Sequence, residues 1–293
     1  MVLLDGNLIS AKIKNELKLK VDKLRMESHK IPHLAAILVG ENPASQSYVS
    51  NKIKFCQEVG YHSTLIRKPS TVSEEELIET IKQLNIDEDI DGYIVQLPLP
   101  DHISEERINL SIDHQKDVDG FHPMNFGRMA EGMAAYLPAT PYGILEMFTR
   151  YGIETDGKHC VVVGRSNIVG TPMSILLSRK GNPGNCTVTL THSRTRDIKK
   201  ELLRADIIIA AIGIPNFVKA DMVKEGAVVI DVGINRVVDK SRKSGYKLVG
   251  DVDFEDVKDK VSAITPVPGG VGPMTVTALM LNTYKAATKE IYR

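Results

Sequence analysis

The sequence predicts an α/β protein of two domains, and three features predict it. The chain has 293 residues, about twice the ~150 of a typical domain. Short apolar runs alternate with longer stretches of helical periodicity, as stacked βα units do. Prolines at Pro138 and Pro141 then part an earlier series of these units from a later one.

In the earlier series, Leu34 to Gly40 reads as a buried strand ending at a glycine and Pro43 to Gly60 as a helix. Tyr61 to Arg67 reads as extended chain and Ser73 to Leu84 as a second helix, with Ser73 and Glu76 forming a capping box. Gly92 to Gln96 is the next strand, stopped by Leu97-Pro98-Leu99-Pro100 because proline cannot donate into a ladder. The later series opens with a helix from Gly143 to Tyr151 and a strand from His159 to Val163. Further strands fall at Thr187–Thr191, Asp206–Ala210, Ala227–Asp231 and Ala263–Thr265, with helical patterns between them. The final segment, Pro273 to Tyr292, sets proline at the first helical position and Val276, Leu279, Met280 and Tyr284 along one face.

Lys plus Arg and Asp plus Glu number 37 each. A neutral chain without a basic block has no electrostatic footprint for nucleic acid. No apolar run approaches the ~20 residues that span a bilayer, and the N-terminus lacks the cationic and apolar regions of a signal peptide. Cys56, Cys160 and Cys186 lie far apart without a CxxC pair, which fits free thiols in a reducing compartment. A cytoplasmic protein with no membrane partner is therefore expected. The histidines are scattered, and Pro32 interrupts the helical spacing of His29 and His33, so no metal site is expected.

Gly164-Arg165-Ser166-Asn167-Ile168-Val169-Gly170 stands between a strand and a helical pattern, where a dinucleotide fold needs a tight glycine turn feeding a helix N-terminus. The usual G-x-G-x-x-G is not there: Ser166 takes the place of the second glycine, and Gly170 comes later. Alone, the run reads equally as a plain strand–turn–helix. The end of the next strand adds to it. Enzymes using NAD place an acid there for the ribose 2′-hydroxyl, whereas a 2′-phosphate needs cations and hydroxyls. Here Thr191-His192-Ser193-Arg194-Thr195-Arg196 holds no acid before Asp197, and Arg165 reaches toward the same space. Arginine recognises phosphate through a planar, permanently charged fork. The pattern favours NADP; a solvated polar loop is the other reading.

Tyr48 and Lys52 are four apart in a helical stretch and share a face. Gln96 ends its strand, where α/β sheets place ligands. Asp117-Val118-Asp119-Gly120 packs two acids into a loop, and Pro266-Val267-Pro268-Gly269-Gly270-Val271-Gly272-Pro273 is a stiff approach whose bare backbone suits a flat ligand. Each has a plain alternative: an exposed helix face, a capped strand end, turn acids and a tight linker.

Together, Gly40-Glu41-Asn42-Pro43-Ala44-Ser45, Tyr48-Val49-Ser50-Asn51-Lys52, Val95-Gln96-Leu97-Pro98-Leu99-Pro100, Lys116-Asp117-Val118-Asp119-Gly120-Phe121, the Gly164–Gly170 run and the Pro266–Thr275 run resemble, in order, the motifs of the bifunctional methylenetetrahydrofolate dehydrogenase/methenyltetrahydrofolate cyclohydrolase family. The resemblance covers nearly the whole chain. It implies an N-terminal α/β substrate domain, 1–139, and a Rossmann-like NADP-binding domain, 140–272, with a cleft between them. It also implies a C-terminal helix, 273–293, packing back on the first domain, and a homodimer built largely through the second. Asn182-Pro183-Gly184-Asn185 resembles a small insertion relative to shorter relatives and is expected to be a surface loop without effect on chemistry.

The substrates implied are one-carbon derivatives of tetrahydrofolate, oxidised with NADP and then hydrolysed to the 10-formyl form. Lys52 is the candidate proton-transfer group, oriented by Gln96, its amine driven toward neutrality by the cationic methenyl product. Tyr48 stacks on the folate or hydrogen-bonds in its cleft. Asp119, the second acid of its motif and chosen over Asp117 on that ground, accepts two hydrogen bonds from the pterin edge. Val95, Leu97, Pro268, Gly269 and Gly270 complete the implied substrate contacts, and Gly164, Arg165, Ser166, Gly170, Ser193 and Ile234 the cofactor contacts. Three other readings stand beside this one: a shikimate- or amino-acid-type dehydrogenase on the same plan, a dinucleotide sensor without catalysis, and a family member with one activity or with NAD.

Overall fold

A computed structural model describes residues 1–242 and 245–292. In chain order its strands are β1 (Val2–Leu3), β2 (His33–Val39), β3 (His62–Lys68), β4 (Gly92–Val95), β5 (His159–Val163) and β6 (Thr187–Thr191). They continue with β7 (Ile207–Ala210), β8 (Val228–Asp231), β9 (Asn235–Val238), β10 (Tyr246–Val249) and β11 (Ala263–Ile264). The chain divides into two compact units, one of Met1–Ser10 with Thr140–Thr275, the other of Ala11–Ala139 with the chain from Val276 onward.

The unit containing Ala11–Ala139 is built on three parallel strands in the order β3-β2-β4. Central β2 is buried along its whole length, as a strand covered on both faces must be, and this explains its unbroken apolar run. Ile37, Leu77, Ile81 and Tyr93 centre its core. The helix Pro43–Val59 follows β2 with well-defined ends. Asn42 accepts from the N–H groups of Ala44 and Ser45, Pro43 takes an early position that needs no donor, and Gly60 closes the helix in the left-handed region at φ 85°. The capping box of Ser73 and Glu76 is present at the start of Glu74–Ile86.

The other unit carries six parallel strands in the order β1-β11-β8-β7-β5-β6. The chain steps from β5 outward to β6 and then returns to the opposite side of β5 for β7. This is a topological switch, and it opens a crevice at the C-terminal ends of β5 and β7. A two-stranded antiparallel hairpin, β9–β10, stands apart from this sheet.

Two expectations are corrected. The first ten residues belong with the six-stranded sheet, not with the N-terminal domain, because β1 pairs in parallel with β11. The N–H of Gly6 then donates to the Gly269 carbonyl, and a Cβ at Gly6 would lie 1.8 Å from the Gly270 oxygen, so only glycine fits there. The last helix is Val271–Ala287, opening two residues before Pro273 and stopping short of Tyr292. Proline is tolerated inside the first turn because its missing N–H has no intrahelical acceptor there. No helix among the described residues is long and apolar enough to cross a membrane.

Candidate active site

The helix Pro43–Val59 buries Ser45, Val49, Lys52, Cys56 and Val59, a single stripe of alternating four- and three-residue steps. Lys52 occupies a core position on that stripe and is only 8% exposed. Its ammonium donates to Gln96 Oε1 at 3.2 Å, and Gln96 Nε2 donates to the Leu97 carbonyl at 2.7 Å, so the amide is held in one orientation. Gln96 is placed by its own N–H, which donates to the Ile37 carbonyl of β2 at 2.9 Å. Ser45 reaches the Leu97 carbonyl as well, tying helix and strand end together.

Burial lowers the Lys52 pKa from its ordinary value, and the nearby Asp119 carboxylate partly restores it. Burial likewise raises the Asp119 carboxyl, against the pull of Lys52. Lys52 is thus biased toward the neutral amine by its surroundings, whereas the sequence traced that bias to a cationic product. Tyr48 lies on the same helix but is 41% exposed. Val95 is buried, and Leu97 half-buried, on either side of Gln96.

The loop bearing Asp119 is fixed on several sides. Its two acids are not equivalent. Asp117 is 2% exposed and accepts from the N–H groups of Gly120 and His122 and from Asn125 Nδ2, at 3.1, 2.8 and 3.0 Å. Burial nonetheless pushes its carboxyl up to about 7. Asp119 makes no such set of bonds among the described residues, and its charge faces that of Lys52 instead. Gly120, at φ 74°, has no room for a Cβ, which would lie 2.5 Å from the Leu137 carbonyl carbon.

In the six-stranded unit, Gly164 ends β5 at φ 108°, and a Cβ there would lie 2.2 Å from the Ala211 oxygen at the end of β7. A Cβ on Gly170 would lie 2.0 Å from the Gly164 oxygen. Both glycines let the turn close tightly at the switch point. Ser166 Oγ accepts from the N–H groups of Val169 and Gly170 at the start of the helix Gly170–Ser178. The Gly164 N–H donates to the Thr191 carbonyl, so the turn carrying Arg165 adjoins the loop carrying Ser193, and both side chains are exposed. Asp197, the first acid after β6, is engaged in capping its own helix through Lys200 N–H. An exposed cation and hydroxyl at adjacent strand ends, with no free acid between them, fit a 2′-phosphate.

Gly164→Ala is expected to cost roughly 2–4 kcal/mol, the sum of a left-handed alanine and a backbone clash. A denaturant titration showing an unshifted midpoint would contradict this.

The structure brings Tyr48, Lys52, Val95, Gln96, Leu97 and Asp119 into one unit. Gly164, Arg165, Ser166, Gly170, Ser193, Ile234, Pro268, Gly269 and Gly270 belong to the other. Ile234 is 46% exposed just before the β9–β10 hairpin. The Asn182–Asn185 loop is largely exposed, although Gly184 is buried and donates its N–H to Thr155. Among the described residues no cluster of His, Cys, Asp and Glu suits a metal ion. Sequence reasoning missed Asn125 and Asn282, which bind the Asp119 loop, and Tyr292, which bonds Asn125. The one signal available was an asparagine inside an apolar helical face, at Asn282.

A parallel sheet with a glycine turn at its switch point, together with a buried lysine–amide–carboxylate group, defines a dinucleotide-dependent enzyme of two units. Family models for the tetrahydrofolate dehydrogenase/cyclohydrolase catalytic domain and NAD(P)-binding domain match residues 4–119 and 138–291. The chain belongs to this tetrahydrofolate dehydrogenase/cyclohydrolase family. It is 61% identical over 286 residues to the bifunctional protein FolD of Flavobacterium johnsoniae, covering 98% of this chain and 97% of that one. The crystal structure of the bifunctional FolD methylenetetrahydrofolate dehydrogenase/cyclohydrolase from Campylobacter jejuni matches with a TM-score of 0.93 at 48% identity, over 99% of both chains. The Trypanosoma brucei enzyme, solved with NADP and an inhibitor, matches with a TM-score of 0.93 at 36% identity, over 100% of this chain and 99% of that one. This membership sets aside the shikimate- and amino-acid-type readings.

Proposed function

We propose that the chain oxidises 5,10-methylenetetrahydrofolate to the 5,10-methenyl form with NADP and then hydrolyses that product to 10-formyltetrahydrofolate. The family, and full-length likeness to bifunctional relatives, support both activities. The observation that carries the reading is Lys52, a buried amine biased toward its neutral form, bonded to Gln96 and coupled to Asp119.

NADP, when bound, supplies the acceptor for the hydride lost from the methylene carbon. Gly164, Ser166 and Gly170 suit its pyrophosphate, Arg165 and Ser193 its 2′-phosphate, and Ile234 offers an apolar contact. Loss of the hydride needs no protein acid or base, because a folate nitrogen lone pair drives it. Hydrolysis does need one. Lys52 takes a proton from the attacking water as the new C–O bond forms on the methenyl carbon. The hydroxyl of that adduct then loses its proton, N5 gains one, and the carbon–N5 bond breaks to leave the formyl group on N10. Gln96 holds the amine without adding charge, Asp119 accepts from the pterin edge, and Tyr48, Val95 and Leu97 line the folate.

We further propose a cytoplasmic homodimer built through the dinucleotide unit. Exposed Val238 and Ile234, at and beside the β9–β10 hairpin, support the dimer, and three free, buried cysteines support a reducing compartment.

The test is purified protein with methylenetetrahydrofolate and either NADP or NAD, following reduced cofactor and the methenyl and formyl products together. Reduced NADP with enzyme-dependent formyl product is expected. No turnover with either cofactor would favour the dinucleotide sensor, and a monomer in light scattering would remove the dimer.

A further inference from the structure

We infer that the C-terminal segment of the chain is what sets Asp119: Tyr292 acts through Asn125 and Asp117, and Asn282 acts directly, on the backbone to either side of it. This rests on the reading of Asp119 as the folate-binding acid. On the far side of Asp119, the Gly120 and His122 N–H groups both donate to Asp117. Asp117 is kept in place by Asn125, whose Nδ2 donates to it at 3.0 Å and to the His114 carbonyl at 2.8 Å. Asn125 is itself fully buried, and its Oδ1 accepts from the Tyr292 hydroxyl at 2.6 Å and more loosely from the Tyr136 N–H at 3.4 Å. The Tyr292 hydroxyl is the closer of the two donors to this oxygen and helps hold the amide with its own donor toward Asp117.

The Tyr292 ring is seated to do this. It lies edge-on to His114 at 5.0 Å and to Tyr136 at 5.5 Å, with the Arg128 guanidinium 5.0 Å from its centre. On the near side of Asp119, Asn282 Nδ2 donates to the Val118 carbonyl at 2.8 Å and to the Leu137 carbonyl at 2.9 Å. Leu137 is the residue against which Gly120 is pressed. Asn282 Oδ1 is buried and has no hydrogen-bond partner among the described residues. An unpaired buried acceptor is costly and calls for an explanation. Here the two donors of the amide hold the carbonyl just before Asp119 and that of Leu137, against which Gly120 is pressed. Asp119 thus sits between two anchors, and both are supplied by the last eighteen residues of the chain.

Tyr292→Phe removes the hydroxyl and leaves the ring contacts. The expected result is a three- to tenfold rise in KM for methylenetetrahydrofolate. A matching loss should appear in tetrahydrofolate binding by calorimetry, while kcat and the KM for NADP stay within twofold. A merely structural tyrosine would lower the melting temperature and leave the folate KM alone, or raise both KM values together, and either result overturns the inference. Wild-type protein that neither turns over methylenetetrahydrofolate nor binds tetrahydrofolate would bring down the folate reading as well. An active wild type with an unchanged Tyr292→Phe variant brings down the C-terminal anchor alone.

Discussion

Lys52→Met is expected to lower methenyl hydrolysis by about 10²–10⁴-fold, the range that one positioned general base contributes. Reduction of NADP by methylenetetrahydrofolate should survive in part, since hydride loss is driven from the folate. Methionine keeps the length of the stem, but it leaves Gln96 Oε1 without its donor and the Asp119 carboxylate without its cation, and losing one partner of a buried pair costs stability. A lowered melting transition that still lies well above the assay temperature is expected and would separate lost chemistry from lost structure.

The pH dependence gives a second handle on the same residue. Burial lowers the Lys52 pKa, so the free amine needed as base accumulates below the ordinary lysine range. Hydrolysis by the wild type should rise with pH along a limb in that lower region, and the limb should vanish in Lys52→Met. Full hydrolysis in the variant, or an unaltered limb, would remove Lys52 from the mechanism.

How much of this was legible beforehand differs by element. The buried strands β2, β5, β7 and β8 read directly, because a strand covered on both faces is an apolar run. The helix Gly6–Met26 went unread although Ile9, Ile13, Leu17 and Val21 are buried along it at regular four-residue steps. One apolar residue per turn among many lysines is a thin stripe, easily lost beside the stronger patterns. The β9–β10 hairpin had still less signal, since its strands are half exposed and carry Arg236 and Lys247. At the site, Lys52 was visible as a residue type and a spacing, but its burial was not. That depends on Val49 and Cys56 facing the core on either side of it. The partner of Asn125 was out of reach for another reason: Tyr292 and Asn125 are 167 positions apart, and no local pattern links them.

Asp119→Asn should raise the KM for methylenetetrahydrofolate by roughly 10- to 100-fold. An acid facing the pterin edge accepts two hydrogen bonds, each assisted by its charge. An asparagine there accepts one and turns an N–H toward the other donor. Bonds to charged groups are worth about 1.5–3 kcal/mol, which spans that range. The same change acts on Lys52. The Asp119 charge opposes the lowering of the Lys52 pKa, so removing that charge should lower it further. At saturating folate, the alkaline limb of hydrolysis in the variant should therefore move to lower pH. A limb that stays in place would mean that Asp119 binds the folate without governing the base. A limb that moves up would reverse the electrostatic argument. An unchanged KM would point to another acceptor for the pterin, and Asp117, bonded on three sides and nearly inaccessible, is badly placed to be it.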